Sequence, residues 1–218
     1  MISLFSKKFL YFPGCLTTSM LPNIVENYAK IFHRLKLDFS IMNEKMCCGA
    51  VAYNNGYEKD FEALKERNIP LFKQDKIKSI VTNSGECLKT LALHYGVRAQ
   101  HVSQILVKYV NKFPVKYEED ISVYDSPLLP VYDEPRQILV SLGFEVIDLE
   151  KNRENSIICG AEGGMIQNVP QIANNVSKFV FDMCKTKKLV VSDPLAFYHL
   201  KMNAPSNIKV FELSEVIV

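Results

Sequence analysis

The sequence predicts an α/β protein made of two tandem copies of one α/β unit, each with a largely parallel sheet and the two related by a pseudo-twofold axis. Short β-rich runs alternate with segments of helical periodicity, which is typical of parallel strands joined by crossover helices. In addition, four short motifs recur in the same order at offsets of 110 to 112 residues. Recurrence in a fixed order indicates a tandem duplication.

The recurring motifs predict where each copy begins and ends. The matched pairs are FLYFPGC with ISVYDSP, MCCGA with IICGA, KSIVTNSGEC with KLVVSDPLAF, and HVSQIL with ELSEVI. We therefore expect a first repeat over residues 1–114 and a second over residues 119–218, with the seam in NKFPVKYEED.

In the first repeat the elements are expected in the order strand, helix, strand, cysteine turn, helix, strand, helix. KFLYF is a β-rich run that ends in turn residues, and LPNIVENYAKIFHRLKL has apolar residues at helical spacing. The turn MCCGA follows the second strand, and KSIVTNS then predicts a short buried strand that leads into the helix GECLKTLALHYG. Functional groups are expected at the carboxyl edge of such a sheet, where strands lead into helices.

The second repeat predicts the same order. ISVYD and KLVVSD read as strands, and NNVSKFVFDMCKTKK reads as a helix. DEPRQILVSLG has helical periodicity, with Asp133 as a candidate N-cap and Gly143 as a stop.

Composition excludes several classes of protein. Hydrophobic residues at 48% and charged residues at 23% are typical of a soluble globular protein. The net charge is +2 and the basic residues are scattered, so no nucleic-acid partner is expected. The longest apolar runs are too short to span a bilayer, and the N-terminus lacks a signal-peptide pattern, so we expect a cytoplasmic protein. In that compartment six cysteines indicate metal or redox chemistry rather than disulfides.

The candidate site is the set of cysteines in the first repeat. Cys15 is followed after 31 residues by the adjacent pair Cys47 and Cys48, and after 38 more by Cys87. Neighbouring cysteines would face opposite sides of a regular strand, so the pair suggests a bent backbone around something that both sulfurs bind. Four thiolates are the usual ligand set of an iron–sulfur cluster or a tetrahedral zinc site, and both remain open at this point.

Three further residues accompany these thiols. Gly14 and Gly49 allow the backbone to approach closely, so that nearby amides can hydrogen-bond to sulfur. Ser84 lies three residues before Cys87, where a further ligand would stand, but it is also a favoured helix N-cap residue. We carry both roles of Ser84 forward.

These motifs resemble the cysteine-rich CCG-domain family, which includes the B-type subunit of heterodisulfide reductase and the iron–sulfur subunits of glycolate and lactate oxidation. The resemblance lies in YFPGC, MCCGA, YDEPRQIL and CGAEGG, and in a family pattern of Cys, Cys-Cys-Gly and Cys-x-x-Cys that occurs twice. It implies a noncubane 4Fe–4S cluster, an electron-donating iron–sulfur subunit resembling the C-type subunit of heterodisulfide reductase, a flavoprotein as a further partner, and a disulfide or thiol substrate.

The second repeat departs from that family pattern. Its ligand positions read Pro127, Ile158, Cys159, Asp193 and Ala196, so only one thiol is present. Proline, isoleucine and alanine cannot donate to iron, and a single cluster in the first repeat is therefore expected.

Two cysteines outside the first-repeat set have open interpretations. Cys159 could form a remnant metal site with Asp193 and His199, or could simply pack in the core. Cys184 is expected on the apolar stripe of its helix, as a core residue.

The sequence thus predicts an oxidoreductase subunit with one 4Fe–4S cluster at Cys15, Cys47, Cys48 and Cys87, with Ser84 as a further candidate ligand, acting in thiol/disulfide redox chemistry. No catalytic acid or base is singled out. One alternative is a non-catalytic electron-relay subunit of a 2-hydroxy-acid dehydrogenase or respiratory complex. The other is an interaction module stabilised by zinc.

Overall fold

The computed structural model describes residues 9–42, 46–72 and 77–218, and it divides into two compact units. One unit extends to Val102 and includes Val218, and the other is Ser103–Ile217. The repeat boundaries of 1–114 and 119–218 stay a proposal, because a duplicated sequence need not divide at the same residue as a compact unit.

The first unit is a parallel sheet whose strands are joined by helices. Its strands are β1 (Phe9–Tyr11), β2 (Phe39–Ile41), β3 (Ser79–Thr82) and β4 (Ala99–His101). Its helices are α1 (Gly14–Met20), α2 (Pro22–Arg34), α3 (Ala50–Asn54), α4 (Glu58–Phe72) and α5 (Gly85–His94). The strand order is β2-β1-β3-β4, and every pairing is parallel.

The second unit repeats this architecture. Its strands are β5 (Asp120–Tyr124), β6 (Glu145–Asp148), β7 (Lys188–Val191) and β8 (Lys209–Glu212), in the all-parallel order β6-β5-β7-β8. Its helices are α6 (Val102–Leu106), which begins at the last residue of the first unit, α7 (Asp133–Ser141), α8 (Met165–Asn168), α9 (Pro170–Asp182), α10 (Pro194–Met202) and α11 (Leu213–Ile217). Three 3₁₀ segments lie at Val107–Lys112, Arg153–Asn155 and Glu162–Gly164. Across the described ranges, the helices are all too short or too polar to span a membrane.

The predicted fold class is confirmed, since both units are α/β with parallel sheets of the same strand order. The fourth strand of each unit, β4 or β8, was not predicted from the sequence. Their sequences, AQH and KVFE, contain polar residues and have no apolar run, so the usual strand signal is absent. Both strands pair with a buried central strand and depend on it for their extended conformation.

Two local predictions need correction, and a third is confirmed. Equivalent strands β3 and β7 are offset by 109 residues in the structure, one fewer than the motif match suggested. Asp133 is not an N-cap: it is the first residue of α7, Tyr132 takes the cap position, and the Asp133 carboxylate faces Arg153 at 3.4 Å. Gly143 does follow the end of α7, with a φ of +99° that only glycine adopts readily.

The residues of β1 alternate between the two faces of the first sheet, as a strand requires. On one face Phe9 and Tyr11 meet α2, with ring centroids 5.2 Å from Phe32 and 5.7 Å from Tyr28 respectively. Leu10 points to the opposite face, into a second buried cluster. That cluster comprises Leu10, Phe12, Met46, Cys48, Ala50, Phe61, Phe72, Ile80, Cys87, Leu91 and Tyr95. Two of the predicted ligand cysteines therefore belong to the core.

A buried ion-pair network holds the carboxyl ends of β5 and β6 in the second unit. The Arg136 guanidinium on α7 donates to both carboxylate oxygens of Asp125, at 2.8 and 2.7 Å, and lies 2.7 Å from Asp148. Arg153 adds an ion pair to Asp148 at 3.0 Å. Arg136 is the arginine of the YDEPRQIL motif, so that motif has a structural explanation in this chain.

Candidate functional site

The predicted ligand residues lie in three loops at the carboxyl edge of the first sheet. Cys15 follows β1 as the second residue of α1. Cys47 and Cys48 lie between β2 and α3, and Cys87 is the third residue of α5, after β3. The three strands are neighbours, and the chain leaves β1 on opposite sides toward β2 and β3. Such a reversal of strand order forms a crevice in which parallel sheets bind ligands.

The four sulfurs form a continuous row, which we call the thiol row (Cys15, Cys47, Cys48 and Cys87). The Cys15 thiol donates a hydrogen bond to Cys47 Sγ at 3.8 Å, and the nearby Cys47 and Cys87 thiols raise the pKa of the Cys48 thiol. Cys48 and Cys87 are 3% and 6% exposed, whereas Cys15 is exposed, so the row runs from the core to the surface.

One thiol of the thiol row, that of Cys47, has a lowered pKa. Hydrogen bonds from Cys15 and Cys48 lower the pKa of the Cys47 thiol, and the positive charge of Arg67 lowers that pKa further. The pKa values of Cys15 and Cys48 are raised, in both cases chiefly by the hydrogen bond to Cys47. Because metals bind the thiolate, Cys47 is the sulfur best prepared to ligate a cation.

Backbone amides support this charge. The Gly49 N–H lies 3.4 Å from Cys47 Sγ. The Ala50 amide hydrogen-bonds to Cys48 and opposes part of the rise in the pKa of that thiol. The amide of the residue after Cys15 acts in the same way. Hydrogen bonds of this kind stabilise thiolates and adjust the reduction potential of a sulfur-ligated cluster.

Both glycines predicted to allow close approach do so. Gly14 has a φ of +80°, and a Cβ there would lie 3.0 Å from Cys87 Sγ. Gly49 has a φ of +87°, and a Cβ there would lie 2.7 Å from Phe61 Cδ2. The turn after the cysteine pair therefore requires glycine both for its conformation and for the space it leaves.

We expect Gly49→Ala to lower the free energy of unfolding by about 2–4 kcal/mol, because a left-handed alanine and an overpacked contact each cost energy. Gly56→Ala is the matched control, since Gly56 has a φ of +78° but no atom within 4 Å of its Cβ position. It should cost about 1 kcal/mol. Urea unfolding of the metal-free proteins measures both; equal losses in the two variants would show that the Phe61 contact does not matter.

Ser84 is the N-cap of α5. Its Oγ accepts a hydrogen bond from the Cys87 N–H at 3.3 Å, so the capping role is confirmed. In the second unit Asp193 caps α10 in the same way, accepting from the Ala196 N–H at 3.1 Å. The cap uses one lone pair of the hydroxyl oxygen, and ligation of iron by Ser84 stays a proposal.

The second unit has lost the corresponding sulfur ligands. Pro127 is exposed and Ile158 is 43% exposed, while Cys159 and Ala196 are buried. Among the described residues of the first unit and of the second alike, no group of three Cys, His, Asp or Glu side chains is placed to hold a metal ion.

Asp193, His199 and Cys184 of the second unit each have a structural partner. The Asp193 carboxylate caps a helix, and His199 Nε2 lies 3.1 Å from the Ala173 carbonyl oxygen, so the packing alternative to a remnant metal site is favoured. Cys184 lies beyond the end of α9 rather than on its apolar stripe, is only half-buried, and donates to the Thr186 carbonyl at 3.4 Å. Its predicted core position was therefore wrong.

A carboxylate occupies the turn of the second unit that matches the cysteine pair. Glu162 Oε1 accepts from the Cys159 amide at 3.4 Å and from the Cys159 thiol at 3.5 Å. The Tyr124 hydroxyl donates to the Ile157 carbonyl at 2.8 Å and lies 3.5 Å from Glu162 Oε1. Glu162 Oε2 accepts from the Gly160 amide at 3.1 Å. The repeated turn binds an internal anion here, which the sequence analysis did not foresee although Glu162 lies in the CGAEGG motif.

Sequence reasoning also missed two residues that contact the cysteine pair of the first unit. Asn68 on α4 donates to the Cys47 carbonyl at 2.9 Å, and the Tyr95 hydroxyl donates to the Cys48 carbonyl at 2.9 Å. A lone asparagine among charged helix residues, and a tyrosine after a helix, carry no pattern that marks them. Only the fold brings them to the turn.

Comparison with known proteins gives a family match over the first unit. A family model described as the CCG cysteine-rich domain matches residues 9–92, which include the whole thiol row. Over residues 9–92 the chain is therefore similar to the CCG cysteine-rich domain. The family resemblance stated from the motifs is thereby confirmed for the first unit.

Curated relatives extend the similarity over most of the chain. An uncharacterized iron–sulfur protein of Methanocaldococcus jannaschii is 27% identical over 203 residues, covering 88% of this chain and 40% of the relative. The EtfAB:quinone oxidoreductase of Syntrophomonas wolfei is 24% identical, with 86% and 29% coverage. A subunit of the dihydromethanophenazine:CoB–CoM heterodisulfide reductase of Methanosarcina mazei is 22% identical, with 78% and 46% coverage.

The chain thus spans less than half the length of each of these relatives. Among solved structures, the aspartate racemase of Picrophilus torridus matches 97% of this chain and 90% of its own with a TM-score of 0.41 and 10% identity. That likeness is too weak to bear on function.

Proposed function

We propose that this chain is an iron–sulfur subunit of an oxidoreductase and that the thiol row holds one 4Fe–4S cluster for thiol/disulfide redox chemistry, as in the B-type subunit of heterodisulfide reductase. The observation that carries the proposal is the convergence of four thiols from three loops on one sheet edge, from the buried Cys48 to the exposed Cys15. The names of the relatives, which include an iron–sulfur protein and two redox enzymes, support a redox role.

A multinuclear cluster fits the thiol row better than a single zinc ion. Among the residues described, no three Cys, His, Asp or Glu side chains are placed to hold one metal ion. The thiols instead come from three loops, and the Cys15 and Cys47 sulfurs lie 3.8 Å apart. In a 4Fe–4S cluster different irons take different thiolates, so a row of sulfurs suits it, whereas zinc requires four donors around one centre.

When bound, the cluster would supply electrons one at a time and an iron to which a substrate sulfur can bind. Conversion of a disulfide to two thiols consumes two electrons and two protons. We propose that the electrons come from a partner iron–sulfur subunit and the protons from solvent. Cys15 marks the open end of the row, where substrate would enter, while the buried Cys48 and Cys87 keep water from the other end.

A subunit that reduces a disulfide needs partners that deliver electrons to it. An iron–sulfur subunit resembling the C-type subunit of heterodisulfide reductase and a flavoprotein would deliver electrons, and the relatives named as a reductase subunit and an EtfAB:quinone oxidoreductase are compatible with both. The second unit would act as a scaffold or docking surface. Its Glu162 carboxylate already satisfies the amides of the turn that would face a second cluster, which supports a single cluster in the chain.

The function is tested by reducing the anaerobically purified protein with an artificial donor and then adding a disulfide. We expect reoxidation of the protein with release of two thiols per disulfide. Reduction without any turnover on disulfides would assign the chain to the electron-relay role instead.

Two substitutions at Ser84 test whether one iron lacks a protein ligand. We expect Ser84→Ala to lose about 1 kcal/mol of stability from the missing cap but to keep its iron. Ser84→Cys supplies a further thiolate, which would occupy the iron that lacks a protein ligand. If the substrate sulfur binds that same iron, the rate of disulfide reduction should fall at least about tenfold. Iron analysis and turnover on the two variants give the answer; loss of iron in Ser84→Ala would make the serine a ligand.

A further inference from the structure

We propose that Asn68 and Tyr95 are positioning residues for the cysteine pair, and that they orient the peptide group whose amide hydrogen-bonds to the Cys47 sulfur. The expected effect of these residues on the reduction potential rests on the proposed cluster. The geometry that carries it belongs to the chain itself.

The two side chains bind both carbonyls of the cysteine pair. Asn68 is fully buried on α4, and its Nδ2 donates to the Cys47 carbonyl at 2.9 Å and to the Tyr95 hydroxyl oxygen at 3.2 Å. The Tyr95 hydroxyl in turn donates to the Cys48 carbonyl at 2.9 Å. Tyr95 is the C-cap residue of α5, so the turn is tied to two helices outside its own loop.

The Tyr95 contact acts on a sulfur through one peptide group. In a trans peptide the carbonyl and the following N–H point in opposite directions. The Cys48 carbonyl accepts from Tyr95 on one side, and the Gly49 N–H of the same peptide approaches Cys47 Sγ at 3.4 Å on the other. Hydrogen bonds in such a chain strengthen each other, so Tyr95 both directs and strengthens the bond to sulfur.

The Asn68 amide is held in one orientation by this network. Its Nδ2 faces the Cys47 carbonyl and the Tyr95 oxygen, so a flipped amide would turn its oxygen toward a carbonyl oxygen. Its Oδ1 is buried with no hydrogen-bond partner among the described residues. A buried amide with an unsatisfied oxygen is costly, and leucine would fill the same space without that cost. The cost is offset by the two hydrogen bonds that its Nδ2 donates.

Three variants test the proposal on the metal-free protein. Tyr95→Phe removes the hydroxyl, and Asn68→Leu removes the amide. Tyr117→Phe is the control, because the Tyr117 hydroxyl also donates to a backbone carbonyl, that of Val216 in the second unit, at 3.1 Å. The readout is the rate at which Cys48, which is 3% exposed, is alkylated. Fragment-ion mass spectrometry measures this rate and distinguishes Cys48 from the adjacent Cys47. We expect Tyr95→Phe and Asn68→Leu to raise this rate by about five- to a hundredfold, the effect of losing a buried hydrogen bond, and the control to leave it unchanged.

The same variants loaded with iron and sulfide give a second readout. We expect Tyr95→Phe to retain the cluster with a shifted midpoint potential and an altered visible spectrum, which a purely structural role would leave unchanged. Unaltered alkylation rates in both variants would overturn the proposal. A wild-type protein that binds no iron would refute the proposed function, while the alkylation rates would still decide whether the two residues position the pair.

Discussion

Cys48→Ala and Cys47→Ala are each expected to remove the cluster, with iron and acid-labile sulfide falling from about four of each per chain to below about one. Cys48 is buried next to Cys47 and Cys87, and the hydrogen bonds of its neighbours lower the pKa of the Cys47 thiol. Brown colour and disulfide reduction should be lost together.

Cys184→Ala is the matched control for these variants. Cys184 is a half-buried cysteine in the second unit. Its thiol lies 3.4 Å from the carbonyl oxygen and 4.0 Å from the hydroxyl oxygen of Thr186. It should retain full iron, sulfide and activity. If Cys47→Ala and Cys48→Ala also retained all three, the ligand assignment would be wrong.

Arg136→Met is expected to have the largest effect on stability, lowering the free energy of unfolding by about 3–5 kcal/mol. The Asp125 carboxylate is almost completely buried and receives two hydrogen bonds from the guanidinium, so methionine would leave its charge buried without that partner. Burying an uncompensated carboxylate costs several kcal/mol. Thermal or urea unfolding measures the loss.

Arg153→Met serves as the control, because Arg153 pairs with Asp148 and Asp133 at a more exposed position. An exposed ion pair contributes about 0–1 kcal/mol, so this variant should unfold close to the wild type. Iron content should stay at the wild-type level in both, since the network and the thiol row lie in different units. Equal stability of the two variants would mean that burial of Asp125 is not what makes Arg136 important.

Much of the fold follows from the sequence because duplication reinforces the local signals. The strands β1, β3, β5 and β7 are apolar runs next to turn residues, and their recurrence at a nearly constant offset identifies the repeat. The edge strands β4 and β8 carry no such signal, since their extended conformation comes from pairing with a central strand. The Asp133 prediction failed because cap propensity cannot show which of two neighbouring residues begins the helix.

The candidate site likewise contains residues that the sequence predicts and residues that only the fold shows. The thiol row was predictable, since each cysteine follows a strand and parallel strands end at one edge. Asn68 and Tyr95 were not, because they reach the turn from 21 and 47 residues away through hydrogen bonds to backbone carbonyls, which leave no mark on residue spacing. Glu162 was equally hidden, because an internal carboxylate replaces an external ligand only when the turn has folded around it.

The most direct test of the account is metal analysis of the anaerobically purified wild-type chain. Iron, acid-labile sulfide and zinc would be measured together with a visible spectrum on one sample. The account predicts a brown protein with about four irons and matching sulfide per chain. A colourless protein with stoichiometric zinc, or one that binds no metal after anaerobic reconstitution with iron and sulfide, would contradict it.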